Sequence, residues 1–189
     1  MTKSICSGLA LSFILVAVST ARADQSEIPQ VKSERSARNA IYIELGGNGA
    51  WYSLNYERFV MDEGAIRIGG MFMSLSASAT GGGTTSTASA SWFAAPLMFS
   101  YLGVGSANHK LELGAGATLM YFSGSGSNNF SSSITASGFV MAPTATVGYR
   151  YVPTDGGFNF KAGFTPFLIA AAGQTHFFPW AGIAAGYGF

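Results

Sequence analysis

Apolar residues alternate with small or polar ones along most of the chain beyond residue 39. From Leu111 to Tyr121 the odd positions carry Leu, Leu, Ala, Ala, Leu and Tyr, and the even positions Glu, Gly, Gly, Thr and Met. Near the end, Ala181, Ile183, Ala185, Tyr187 and Phe189 alternate with Gly182, Ala184, Gly186 and Gly188. Phe158, Phe160, Ala162 and Phe164 alternate in the same way with Asn159, Lys161, Gly163 and Thr165. A period of two belongs to a β-strand with two unlike faces. The pattern predicts eight strands, at about 40–46, 51–60, 65–74, 92–101, 109–122, 138–151, 158–170 and 178–189. Turn-forming residues separate them, such as Gly46-Gly47-Asn48-Gly49 and Pro153-Thr154-Asp155-Gly156-Gly157.

The two longest connections, 75–91 and 123–137, are the third and fifth in the series. In an antiparallel barrel, alternate connections share one end. Outer-membrane barrels have short periplasmic turns and longer outside loops. The expected fold is therefore all-β: an eight-stranded antiparallel up-and-down transmembrane β-barrel over 40–189. Residues 1–23 read as a signal peptide. Lys3 is followed by a mainly apolar run over 5–18, and Ala21-Arg22-Ala23 is a small-x-small cleavage site. Fourteen such residues are too few for a spanning helix. Residues 24–39 carry three acids and three bases without apolar periodicity, and read as a solvated periplasmic arm.

Alternation alone leaves open which face meets water. Charged residues are only 10% of the chain, against about a quarter in ordinary globular proteins. No Asp, Glu, Lys or Arg occurs over 68–109 or over 113–149. A soluble periplasmic barrel with an apolar ligand inside would need a charged exterior, which these stretches cannot supply. A closed barrel in lipid needs none, because its backbone groups are paired within the wall. Aromatic residues near strand ends (Trp51, Tyr101, Tyr121, Tyr151, Trp180 and Tyr187) are expected to form interfacial girdles. The 75–91 and 123–137 tracts, almost all Ser, Thr, Ala and Gly, read as flexible surface loops with a possible surface ligand. Ser–Ala alternation at 74–79 and 87–91 offers a second reading, the third and fourth strands prolonged as a hairpin beyond the bilayer.

Six ionisable residues fall on the inward face near the periplasmic end: Glu44, Glu57, Arg67, Glu112, Arg150 and Lys161. A barrel of eight strands has room inside only for packed side chains, and a buried charge must be paired. The expectation is a structural ion network that plugs the lumen, the alternative a charged constriction that selects ions. Glu57 and Arg67, flanking the Asp62-Glu63 turn, are expected to be cross-strand neighbours.

Two segments carry a resemblance. Trp180-Ala181-Gly182-Ile183-Ala184-Ala185-Gly186-Tyr187-Gly188-Phe189 resembles the terminal strand of bacterial outer-membrane proteins, which implies that Tyr187 and Phe189 form a signal for the barrel-assembly machinery. Asn39 to Gly49 and Tyr52 to Phe59 resemble the opening of a family of uncharacterised small outer-membrane barrels of the OmpX and OmpA type. The resemblance implies an outer-membrane location and lipid contact, and no activity. Lipid A deacylases, which are barrels of similar size, pair a His with a Ser two positions later. His109 is followed by Lys110 and Leu111, and His176 by Phe177 and Phe178, so neither fits. A lipid-modifying enzyme thus stays an alternative without catalytic residues. No cofactor or metal is expected, since the sole Cys is Cys6 and the two His lie far apart. A net charge of +1 offers nucleic acid nothing.

Overall fold

The computed structural model describes residues 35–128, 131–171 and 173–189. The signal peptide and residues 24–34 of the arm lie outside the described residues. The strands are β1 (Asn39–Gly46), β2 (Tyr52–Met61), β3 (Gly64–Gly81), β4 (Thr84–Gly105), β5 (His109–Asn128), β6 (Ser131–Tyr151), β7 (Gly157–Phe164), β8 (Phe167–Ala171), β9 (Gln174–Phe178) and β10 (Ala181–Gly188). All pairings are antiparallel. Sequential neighbours pair from β1 to β7, β7 pairs with β10, and β10 returns to β1. The closed ring has eight members, as the alternation implies.

The count of ten segments corrects the expectation of two unbroken final strands. Pro166 separates β7 from β8, and Pro179 separates β9 from β10. Proline donates no ladder hydrogen bond. The pairing Phe167↔Phe178 puts both prolines at the same height, so both strands break together. The β8–β9 hairpin meets β6 through the single ladder pair Thr144↔Phe167, and Thr144 Oγ1 donates to the Pro166 carbonyl at 2.8 Å.

The loop reading of the polar tracts is corrected to strands: over 75–91 the structure has the prolonged hairpin of the second reading, and over 123–137 it has strands that no reading foresaw. β3 and β4 stay paired to Gly81↔Thr84, and β5 and β6 to Asn128↔Ser131. Gly82 and Gly83, both at positive φ (58° and 78°), supply the two-residue turn that lets β3 return as β4. Ser and Thr occupy one face of this prolonged sheet and Ala and Gly mostly the other, with Leu75 among them, so period two continues with little apolar bulk. Hydroxyls pair across strands, Ser89 with Ser125 at 2.8 Å and Thr87 with Ser127 at 2.9 Å.

The outward face carries the apolar residues. Leu97 is 57% exposed, Phe139 65% and Tyr187 62%. This overturns the soluble-carrier alternative, which needed that face inside. Phe72, Phe93, Tyr121 and Phe139 lie side by side across four strands. One step further out, the row is Ser74, Ser91, Ser123 and Ser137. From Leu111 to Tyr121 the strand runs about 33 Å, or about 25 Å once tilted, the height of an outer-membrane apolar band.

At the short-turn end, Phe59, Ala65, Leu102 and Val152 form an apolar floor. The described end of the arm packs there instead of being solvated. The Arg35 guanidinium lies 3.9 Å from the Phe59 ring centroid and donates to the Pro153 carbonyl at 3.1 Å. The amides of Ser36 and Ala37 donate to the Thr154 carbonyl. Burial and the neighbouring Arg150 lower the Arg35 pKa.

Two glycines test the wall's close contacts. A Cβ on Gly182 would sit 2.3 Å from the Gly47 nitrogen, whereas one on Gly70 meets nothing within 4 Å. Gly182→Ala is expected to lower stability by about 1–3 kcal/mol, and Gly70→Ala to leave it unchanged or raise it by about 0.5–1 kcal/mol. Urea unfolding in detergent, followed by the mobility difference between unheated and heated samples, reads both.

Candidate functional site

The lumen is built in layers. Above the apolar floor, the structure places all six expected ionisable residues inside and buried: Glu44, Glu57, Arg67, Glu112, Arg150 and Lys161. Alternation explains this, since each stands on the same-parity face as its strand's other buried residues.

The partners depart from the simplest expectation. Glu57 and Arg67 are backbone neighbours in the β2–β3 register. Yet Arg150 takes Glu57 as a two-pronged fork, at 2.9 and 2.5 Å. Arg67 instead bridges Glu44 at 3.0 Å. Adjacent Cα positions do not decide where a guanidinium on a long stem ends. Glu112 accepts from Ser100 Oγ at 2.7 Å, with Arg150 at 3.7 Å and Lys161 at 3.8 Å. Lys161 also lies 3.8 Å from Glu44. Three carboxylates meet three cations, so the layer is neutral.

Sequence reading missed the hub of this layer. Tyr42 OH receives Lys161 Nζ at 3.0 Å and Arg67 Nη1 at 3.3 Å, and donates to Glu57 at 3.5 Å. Its parity with Glu44 on β1 was the available signal. Arg67 Nε and Arg150 Nε find no protein acceptor, so the network is not fully satisfied.

The β1–β2 connection supplies a second unforeseen element. Read as a simple turn, Gly47–Gly49 instead forms a single 3-10 turn folded into the barrel, with Asn48 fully buried. Asn48 Nδ2 donates to Thr144 Oγ1 at 2.7 Å, and Asn48 Oδ1 accepts from Thr146 Oγ1 at 2.9 Å and from Arg67. Thr118 Oγ1 donates to the Asn48 carbonyl at 2.7 Å. Positive φ at Gly46 and Gly47, 69° and 68°, lets the chain turn inward. A Cβ on Gly47 would lie 2.3 Å from the Glu44 carboxyl carbon. Beside Glu44, Glu112 and Lys161 the free space is about 10 Å³, at the lower limit for one water.

Above the turn the lining becomes apolar again, with Met71, Ala94, Met120, Ala142 and Phe167 buried. Trp51 and Trp180, expected in a girdle, turn to this mouth. Trp51 packs edge-on against Trp92 and Trp180, at 6.5 and 5.8 Å between centroids. Tyr101, Tyr121 and Tyr187 do stand exposed on the outer wall. So does Phe189, whose backbone exchanges two 2.8 Å hydrogen bonds with Asn39.

Little here suits acid–base catalysis. His176 stands exposed on β9, opposite Ile169, on a hairpin without Asp or Glu. His109 Nδ1 is 2.6 Å from Tyr149 OH on the outer wall. Among the described residues, no three His, Cys, Asp or Glu side chains are grouped to hold a metal.

No family model matches the chain, and no curated protein matches it. Similar solved structures exist. Ail, the attachment invasion locus protein of Yersinia pestis, in complex with the heparin analogue sucrose octasulfate, aligns over 81% of this chain and 99% of its own, at 12% identity and a TM-score of 0.54. The N-terminal β-barrel domain of Pseudomonas aeruginosa OprF aligns over 82% of this chain and 98% of its own, at 12% identity and a TM-score of 0.49. At such identity the likeness to Ail speaks of fold: this chain has the fold of a small outer-membrane β-barrel.

Proposed function

We propose that the chain is a non-enzymatic outer-membrane barrel with a plugged lumen, serving a structural or surface-interaction role. The neutral ion layer, with the Asn48 turn folded onto it, carries the plugged reading. Closed walls and an apolar exterior support residence in lipid. In this reading the short turns face the periplasm and the prolonged β3–β6 sheet stands outside. Export by a signal peptide cleaved after Ala23, and recognition of Tyr187 and Phe189 by the barrel-assembly machinery, belong to the same proposal.

The outer sheet is the candidate interaction surface. The Ail structure holds a heparin analogue, which is polyanionic. Here 68–109 and 113–149 contain no Lys or Arg. A neutral, hydroxyl-bearing partner suits this sheet better than a polyanion.

In planar bilayers the purified protein is expected to give no stable conductance; an open, solute-sized pore would overturn the plug. Membranes washed with carbonate are expected to retain the protein, and its release into the wash would remove it from lipid. Glu57→Ala, which leaves Arg150 with only the 3.7 Å contact to Glu112, is expected to cost about 3–5 kcal/mol in urea unfolding. Adding Arg150→Met is expected to recover much of that loss, because it is the unpaired charge that destabilises. Trimming the β3–β4 hairpin beyond Ser74 and Ser91 should preserve heat-modifiable mobility while abolishing binding to any surface partner that uses it.

A further inference from the structure

The lumen holds a second space, above the in-turned hairpin. A cavity of about 250 Å³ lies at the mouth, bounded by Trp51, Trp92, Phe122, Phe167, Phe178 and Trp180. Ala50 and Met120 also line it, and the Asn48 turn and ion layer lie beneath. It is a blind cup, not a passage. Every lining residue is apolar or aromatic, and all three tryptophans of the chain border it. Of the indole N–H groups beside it, Trp180 Nε1 donates to the Ala50 carbonyl at 3.1 Å, and Trp92 Nε1 is buried without a hydrogen-bond partner.

We propose that this cup binds a small uncharged aromatic molecule of one or two fused rings, entering from the side that the long strands face. Three observations select that class. The first is size: an apolar cavity of about 150 Å³ accepts benzene, so this one has room for a second ring. The second is chemistry. The wall rings pack edge-to-face or tilted, at 5.0 to 6.5 Å, an arrangement that a planar guest extends. A charged guest would be desolvated here without a partner.

The third is height. Trp92 and Phe122 are the inward neighbours of Phe93 and Tyr121, which belong to the aromatic row bordering the hydroxyl sheet. The cup therefore sits at the level where headgroups begin. A lipid chain rooted there runs toward the bilayer centre, away from the cup. The route of entry we assign lies above the paired prolines, where the β8–β9 hairpin has one ladder pair to β6 and, among the described residues, β9 pairs only with β8.

The tryptophans make the site self-reporting. Protein in phosphatidylcholine nanodiscs is titrated with 1-nitronaphthalene, a neutral quencher of indole emission. The expected result is saturable loss of more than roughly half the emission, because all the indoles border one cavity. Ile169 also lines the cup; Ile169→Phe narrows it and is expected to raise the half-saturating concentration at least about tenfold. Phe178→Ala removes an exposed rim residue and is expected to raise it about fivefold; it keeps the test decisive if the filled variant fails to fold. Unheated gel mobility checks folding in both. Linear quenching, equal in wild type and in folded variants, would mean bilayer partition alone and overturn the site. Displacement of the probe by decane in preference to naphthalene would overturn the aromatic assignment.

Discussion

Every peptide group inside hydrocarbon has to find its hydrogen-bond partner within the protein. The return of β10 to β1 meets that demand, and most other features follow from it. Once the sheet is a ring, each strand has an inside and an outside. Side chains at alternate positions are committed to the outer face or the lumen with no third option. The outer positions can then be simple, and they are: leucine, isoleucine, valine, phenylalanine and tyrosine exposed in a band. The inner positions must fill a narrow tube.

The tube is filled by three different solutions stacked on one another. An apolar floor, crossed by Arg35, closes the short-turn end. A neutral set of three carboxylates and three cations around Tyr42 fills the middle. An inward-folded turn, rather than larger side chains, fills the space above it. Glycine at 47 and 182 makes this last solution possible: Gly182 brings its backbone against that of Gly47, and Gly47 takes a positive φ with its α-carbon against the Glu44 carboxylate. Burying ions in place of leucines is no route to high stability, because desolvation consumes most of the gain. What it supplies is directional geometry, as in the forked Arg150–Glu57 pair.

Much of this was written in the alternation. Parity located Glu44, Glu57, Arg67, Glu112, Arg150 and Lys161 inside, because a strand residue cannot change faces without a register slip. Parity also held the information on Tyr42, which stands on the same face of β1 as Glu44. Partner choice among the six was not legible, since long side chains reach past their register neighbours. The fate of Asn48 was hidden for another reason: Gly-Gly-Asn-Gly allows a tight turn and does not say whether it bends inward or outward. Trp51 and Trp180 were misassigned on similar grounds, because a strand-end indole suits a membrane interface and a barrel mouth equally. The serine-rich tracts misled through composition. They lack bulk, but they keep the period of two, and four strands together supply the ladder that one alone could not.

The aromatic row at Phe72, Phe93, Tyr121 and Phe139 gives way to serines within one two-residue step, at the same height on four adjacent strands. In the proposed outer-membrane setting, so abrupt a border leaves the protein little freedom to bob along the bilayer normal. Sinking would submerge hydroxyls in acyl chains, and rising would lift phenyl rings into sugar and water. The surrounding lipid must therefore thin or thicken to suit the barrel, and hydrophobic mismatch becomes a force on which neighbours it keeps.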